Sequence, residues 1–152
     1  MIIVMAPGDA TIVSQSRAQS YNFPAIYGET YIAGGRAAIP QAAPGENVFF
    51  VGHGVSQGGS GNAEIGEAAG DFGMDGEELW DNFKEIFPDL YNGDVYIDAC
   101  ASADPVEDLF SVIETFKAQS AITLDSSAVF GRTGSPVGDI PQPGDAAWVE
   151  AI

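Results

Sequence analysis

Two residues of this chain have side chains suited to nucleophilic chemistry near neutral pH, and each occurs once: Cys100 and His53. A thiol attacks a carbonyl well only as its thiolate, and a neighbouring imidazole is the usual means of favouring that form. Both residues close short apolar runs. Val95-Tyr96-Ile97-Asp98-Ala99 leads into Cys100, and Val48-Phe49-Phe50-Val51-Gly52 leads into His53-Gly54. In a parallel sheet, reactive groups collect where strands end at their carboxyl edge. If the two runs are neighbouring strands, the thiol and the imidazole share an edge. Gly54 would let backbone come close to a substrate carbonyl, and its N–H together with that of Cys100 would form an oxyanion hole.

The rest of the chain has to position this pair. With 152 residues it is one domain of ordinary size, residues 1–152, able to bury a core without staples. Its 19 glycines and 9 prolines punctuate short apolar runs, which suits strands and turns better than a helical bundle. Ile2 to Met5 reads as a strand buried on both faces, ended by Pro7-Gly8, with Asp9 placed to cap a following helix over residues 10–20. Residues 25–33 read as a second strand and 36–46 as a loop. Asn47 to Val51 and Asp94 to Ile97 are the two strands that carry the chemistry.

Between them lies a glycine-rich loop, residues 52–76, containing a flexible lip at 56–62 and a small hairpin at 62–66. Asp75-Gly76-Glu77-Glu78 opens a helix with Leu79, Phe83, Ile86 and Phe87 on one stripe, stopped by Pro88. A further helix runs from Pro105 to about Gln119, with Val106, Leu109, Phe110, Ile113 and Phe116 apolar on one side. Strands are expected at 121–124, 127–130 and 147–149, and the tail, residues 134–152, is expected to be mobile. Strand and helix alternate as in an α/β fold, a mostly parallel central sheet covered on both faces to give a three-layer α-β-α sandwich.

Composition narrows the function. Five basic residues face 22 acidic ones, a formal net charge of −17. That field repels phosphate backbones and anionic lipid, so neither nucleic acid nor membrane is an expected partner, and a cationic peptide or protein is the favoured one. An acidic face that only keeps the protein dispersed accounts for the charge equally well. One cysteine cannot form an intramolecular disulfide, and the apolar N-terminus lacks the basic flank of a signal peptide. A cytoplasmic chain, or the excised core of a longer one, is expected. No phosphate-binding glycine motif occurs, and Gly59-Ser60-Gly61 lies in a loop rather than at the strand-to-helix elbow of a serine hydrolase.

The two blocks, in this order, resemble the caspase-like cysteine peptidases, the group that includes legumains, clostripain, gingipains, metacaspases, separases and toxin self-processing domains. The likeness spans residues 47–125. It implies a caspase-like sandwich, a His53/Cys100 dyad needing no third orienting residue, no cofactor, and a peptide or protein substrate cleaved through an acyl-thioester. In members with an acid two residues before the nucleophile, that acid lines the primary pocket. By resemblance Asp98 would therefore pair with a substrate Arg or Lys. Read without the resemblance, Asp98 is a strand-end acid held by backbone donors. Asp125, Ser126 and Ser127, at the end of the expected strand 121–124, are placed in the same cleft by position alone.

Some members use calcium, and Asp71, Asp75, Glu77 and Glu78 are the acids to consider, although no regular calcium loop is present and helix-start capping explains most of them. The chain is short, and the later loops that complete a substrate groove are not recognisable. A noncatalytic module of the same fold, binding a partner through its acidic surface, is the alternative.

Overall fold

The structure is a computed structural model and describes residues 1–55, 62–69, 72–104, 110–135 and 138–152. The centre is a six-stranded sheet in the order β2-β1-β3-β7-β8-β9, formed by Ile2–Val4 (β1), Thr30–Ile32 (β2), Val48–Val51 (β3), Val95–Asp98 (β7), Val129–Gly131 (β8) and Val149–Glu150 (β9). The first five are mutually parallel, and β9 pairs antiparallel with β8. The β3 and β7 runs are direct neighbours in register, Val51 opposite Asp98.

Because side chains alternate across a strand, each run of consecutive apolar residues serves two cores. Ile3, Phe50, Val95, Ile97 and Val129 face one side, where they meet Leu79, Trp80 and Phe83 of α3 (Gly76–Phe83) and Ile113 and Phe116 of α4 (Val112–Ser120). Ile2, Val4, Phe49, Val51, Tyr96 and Phe130 face the other. There Ile12 and Val13 of α1 (Ala10–Asn22) and Tyr27 of α2 (Pro24–Tyr27) cover them. Helices thus lie on both faces, which is why the strands carry so few polar residues.

On the second face an aromatic ladder runs across the strands. The Phe49 and Tyr96 rings stack at 4.8 Å, Tyr96 and Phe130 at 4.9 Å, and Trp148 meets Tyr96 edge-on at 4.9 Å. Residues on adjacent strands in register come close enough for such pairs, each worth about 0.5–1.5 kcal/mol beyond burial.

That ladder explains where the C-terminal tail goes. The expectation of a mobile tail gives way to a packed one: Trp148 and Ala151 are buried, and β9 adds to the sheet. A reciprocal pair of hydrogen bonds latches it to α1, Gln19 Nε2 donating to Ile140 O and Ile140 N to Gln19 Oε1, both at 2.9 Å. Tyr27 Oη donates to the same carbonyl.

Other differences are local. Residues 24–27 form a helical turn rather than strand, because Pro24 presets the first-turn geometry and Gly28, at φ 59°, redirects the chain into β2. Residues 121–124 are turns after α4, not a strand. α4 begins only at its Ser111 cap, where Ser111 and Glu114 form a capping box; Phe110 precedes it and is exposed, and residues 105–109 lie outside the described ones. The 52–76 segment contains a second, three-stranded antiparallel sheet of His53–Val55 (β4), Glu64–Gly66 (β5) and Gly73–Met74 (β6), with residues 56–61 and 70–71 outside the described ones. No helix among the described residues is long and apolar enough to cross a membrane.

Candidate active site

Four parallel strands lie side by side as β1, β3, β7 and β8, and each delivers one polar residue just beyond its carboxyl end: Asp9, His53, Cys100 and Arg132. The last three line one cavity of about 150 Å³, together with Asp98 and with Ser16 and Gln19 of α1. Asp9 reaches the same cluster through His53.

Cys100 sits in a tight turn between β7 and the segment that follows. Ala101, immediately after it, adopts φ 54°, a left-handed conformation costing an alanine roughly 1 kcal/mol or more. The turn is held in that shape from below. Ser102 is fully buried; its Oγ donates to Ile97 O at 2.8 Å and accepts from Arg132 N at 2.8 Å, while Ala101 N donates to Gly134 O at 2.7 Å. Backbone of β7 and of the β8 end therefore fixes the thiol's position.

His53 opens β4, and the glycine after it is required by a close approach: a Cβ on Gly54 would run into the carbonyl of Cys100. The two backbones expected to form an oxyanion hole are therefore in contact. The imidazole is half-buried, and its Nε2 lies 2.8 Å from Asp9 Oδ2. The other carboxylate oxygen of Asp9 accepts from Thr11 N at 2.8 Å and Ile12 N at 3.1 Å, capping α1. These backbone donors and His53 hold the Asp9 carboxyl below the usual range, so it is an ionised acceptor. His53 Nε2 is then the N–H donor, and in the neutral ring Nδ1 is the free base.

Asp98 is not open to a substrate cation as expected. Arg132 Nη1 donates to its Oδ1 at 2.9 Å, and both side chains are nearly buried, 10% exposed for Asp98 and 12% for Arg132. Burial pushes the Asp98 carboxyl up to about 6, and Arg132 pulls the other way through its charge and its hydrogen bond. The guanidinium carbon lies 5.6 Å from the centre of the Trp148 ring, so the packed tail also braces the pair. The acid is neither simply capped by backbone nor vacant; its partner is internal.

Asp125, Ser126 and Ser127 do not join this cluster. They precede β8, close to Ala128, whose N–H bonds Asp94 at the start of β7, and so occupy the opposite edge of the sheet. Asp75 and Glu78 form the α3 capping box, Glu78 N donating to Asp75 Oδ1 at 2.9 Å, while Glu77 lies in the same first turn. Asp71 is outside the described residues, and among those described no group of three metal-ligating side chains occurs.

Sequence reasoning took Asp9 only for a helix cap and passed over Arg132. The signal available for both was their position after a strand beside one already identified. Set against protein-family models, curated proteins and solved structures, the chain finds no match.

Proposed function

We propose that this protein is a cysteine endopeptidase of caspase-like fold, with Cys100 as nucleophile, His53 as general base and Asp9 as the residue that orients His53. The observation that carries the reading is the shared cavity of His53 and Cys100 at the ends of adjacent parallel strands, with the His53 ring held through Nε2 by a carboxylate. The likeness of the two sequence blocks to that family supports it, and a mostly parallel sheet with helices on both faces is compatible with it.

In this mechanism Nδ1 of His53 takes the Cys100 proton, and the thiolate attacks the scissile carbonyl. The N–H groups of Gly54 and Cys100 stabilise the oxyanion. His53, now protonated, gives its proton to the leaving amine, and a thioester remains on Cys100. A water deprotonated by His53 then hydrolyses the thioester and restores the thiol. Asp9 keeps the ring in the tautomer this cycle needs and offsets the charge of the imidazolium.

Cleavage after a basic residue is not part of the proposal, because the acid meant to select it already holds Arg132. The test is turnover of fluorogenic peptides by the purified chain, compared with Cys100→Ala and His53→Ala. Loss of turnover in both variants, with folding retained, is expected. Turnover that persists in Cys100→Ala overturns the assignment.

A further inference from the structure

The six-stranded sheet ends in β2 on one side and β9 on the other, and the two ends differ. At the β2 end the odd-numbered residues turn to β1: Ile2 N donates to Glu29 O and Ala33 N to Val4 O, both at 2.9 Å. Successive residues of a strand direct their peptide groups to opposite sides, so Thr30 and Ile32 point N–H and C=O outward. Among the described residues nothing bonds these groups except Gly35 N, which donates to Ile32 O at 3.0 Å. That oxygen keeps a second lone pair. An open row of donors and acceptors of this kind pairs readily with another strand.

Charge decides which strand. The formal net charge is −17, so most faces of two copies repel each other. The β2 end is different. The charged residues flanking it are Arg17, Glu29 and Arg36, and Glu46, another acid near Tyr31, already holds the Met1 amine at 3.0 Å. Neither Arg17 nor Arg36 has an ion-pair partner among the described residues. β9, by contrast, is two residues long, and a symmetric pairing there would bring two Glu150 side chains together.

We propose that β2 is a dimerisation edge, pairing antiparallel with β2 of a second copy about a two-fold axis at Tyr31. In that register Thr30 faces Ile32 of the other copy, and each such pair exchanges both of its N–H···O bonds. Tyr31 meets its own counterpart in the closely spaced, non-bonded position, where aromatic rings interact well. Glu29 falls opposite Ala33 of the second copy, and Arg36 lies just past the turn that follows that alanine. Opposite charges therefore meet on both sides of the axis. The same turn, Gly34-Gly35, arrives beside Gly28, where a groove of about 650 Å³ is lined by Tyr21, Pro24 and Thr30. Tyr21, 86% exposed in the single chain, gains cover there. This contact closes as a dimer, whereas β2 against β9 would run on as a filament. The inference does not depend on the peptidase reading.

The test is the oligomeric state of the full chain, by sedimentation velocity over a micromolar concentration series. A monomer–dimer equilibrium is expected, with amide hydrogen exchange at Thr30 and Ile32 slowing as concentration rises. Arg36→Glu and Glu29→Arg should each weaken the dimer at least ~10-fold, because each sets like charges face to face, and the double change should restore it. Both residues are exposed, so the fold should be kept, and circular dichroism checks it. Thr30→Pro removes an outward N–H that the sheet does not use and should abolish pairing while β2 stays on β1.

A chain that stays monomeric at every concentration overturns the proposal. So does protection confined to other amides, such as those of Val149 and Glu150, or an open filament. Charge reversals without effect, or without rescue in the double change, overturn it as well.

Discussion

Asp9 Oδ2 and His53 Nε2 lie 2.8 Å apart while Asp9 Oδ1 caps helix α1, so one carboxylate joins the start of a helix to the base of the candidate dyad. The two duties separate on substitution. Asp9→Asn keeps a side-chain oxygen for the cap, and its stability loss should be a few tenths of a kcal/mol. Asp9→Ala loses the cap and should cost about 1 kcal/mol. Both remove the negative charge beside His53, so both should lower turnover by roughly 10- to 100-fold or more, with the pH–rate profile changed in shape as well as height. Thermal unfolding with pH-dependent kinetics on the two variants checks the separation. A change in stability with no change in the pH profile would reduce Asp9 to a helix cap.

Cys100 in its turn should behave as an activated thiol whose reactivity depends on His53. Alkylation by iodoacetamide at neutral pH should be fast in the native chain and several-fold slower in His53→Ala, because thiolate, not thiol, is the attacking species. Mass spectrometry of the labelled chain reads the rate directly at the single cysteine. A rate that is slow in the native state, unchanged by His53→Ala and raised only on unfolding would fit the noncatalytic module instead.

The fold's centre was legible because its strands are nearly continuous apolar runs. Ile2–Val4, Val48–Val51 and Val95–Asp98 stand where the residue types put them, and His53 and Cys100, which follow two of these strands, line one cavity. The rule that reactive groups follow parallel strands, applied to 121–124 rather than to the expected strand at 127–130, picked the wrong strand end. Residues 121–124 look like strand in isolation but form turns, and the true neighbour of β7 is Val129–Gly131. The end of 121–124 points to Asp125, Ser126 and Ser127, which precede the true strand, whereas Arg132 follows it. Trp148 was obscured for another reason: its burial depends on Tyr96 and Arg132, partners far away in sequence. Short-range pattern cannot register contacts of that kind.

Gly54 offers a test of how tightly the two halves of the site are pressed together. Any side chain there meets the Cys100 carbonyl, which is backbone and cannot swing aside, so Gly54→Ala must displace either β4 or the Cys100 turn. We expect a loss of about 1–3 kcal/mol in stability, typical of overpacking, and a fall in turnover larger than the stability change explains. Gly144→Ala, in the tail and away from the Cys100 turn, is the comparison. Its φ of 82° strains an alanine too, but nothing lies within 4 Å of where a Cβ would stand, so it should lose stability without the disproportionate loss of turnover. Denaturant unfolding and peptide turnover on the two variants make the contrast, and equal effects on turnover would remove the special role of the Gly54 contact.

The buried Asp98 carboxyl gives a stability that depends on pH with a definite sign. Burial raises it from its ordinary 3.8 to about 6, against the pull of Arg132. Between those values the folded chain keeps a proton that the unfolded chain has released, so the folded state binds more protons and stability falls as pH rises through the window. The cost is absent below about pH 4 and fully present above about pH 6. Asp98→Asn cannot titrate. The stability of Asp98→Asn minus that of the native chain should therefore grow from about pH 4 to about pH 7 and then level off, whatever its value at the acid end. Asp9, with a lowered carboxyl, acts in the opposite sense: the stability it contributes is lost as pH falls. Urea unfolding of native, Asp98→Asn and Asp9→Asn chains across this range separates the two contributions. A difference for Asp98→Asn that shrinks with rising pH would mean that Arg132 outweighs burial and holds Asp98 ionised throughout.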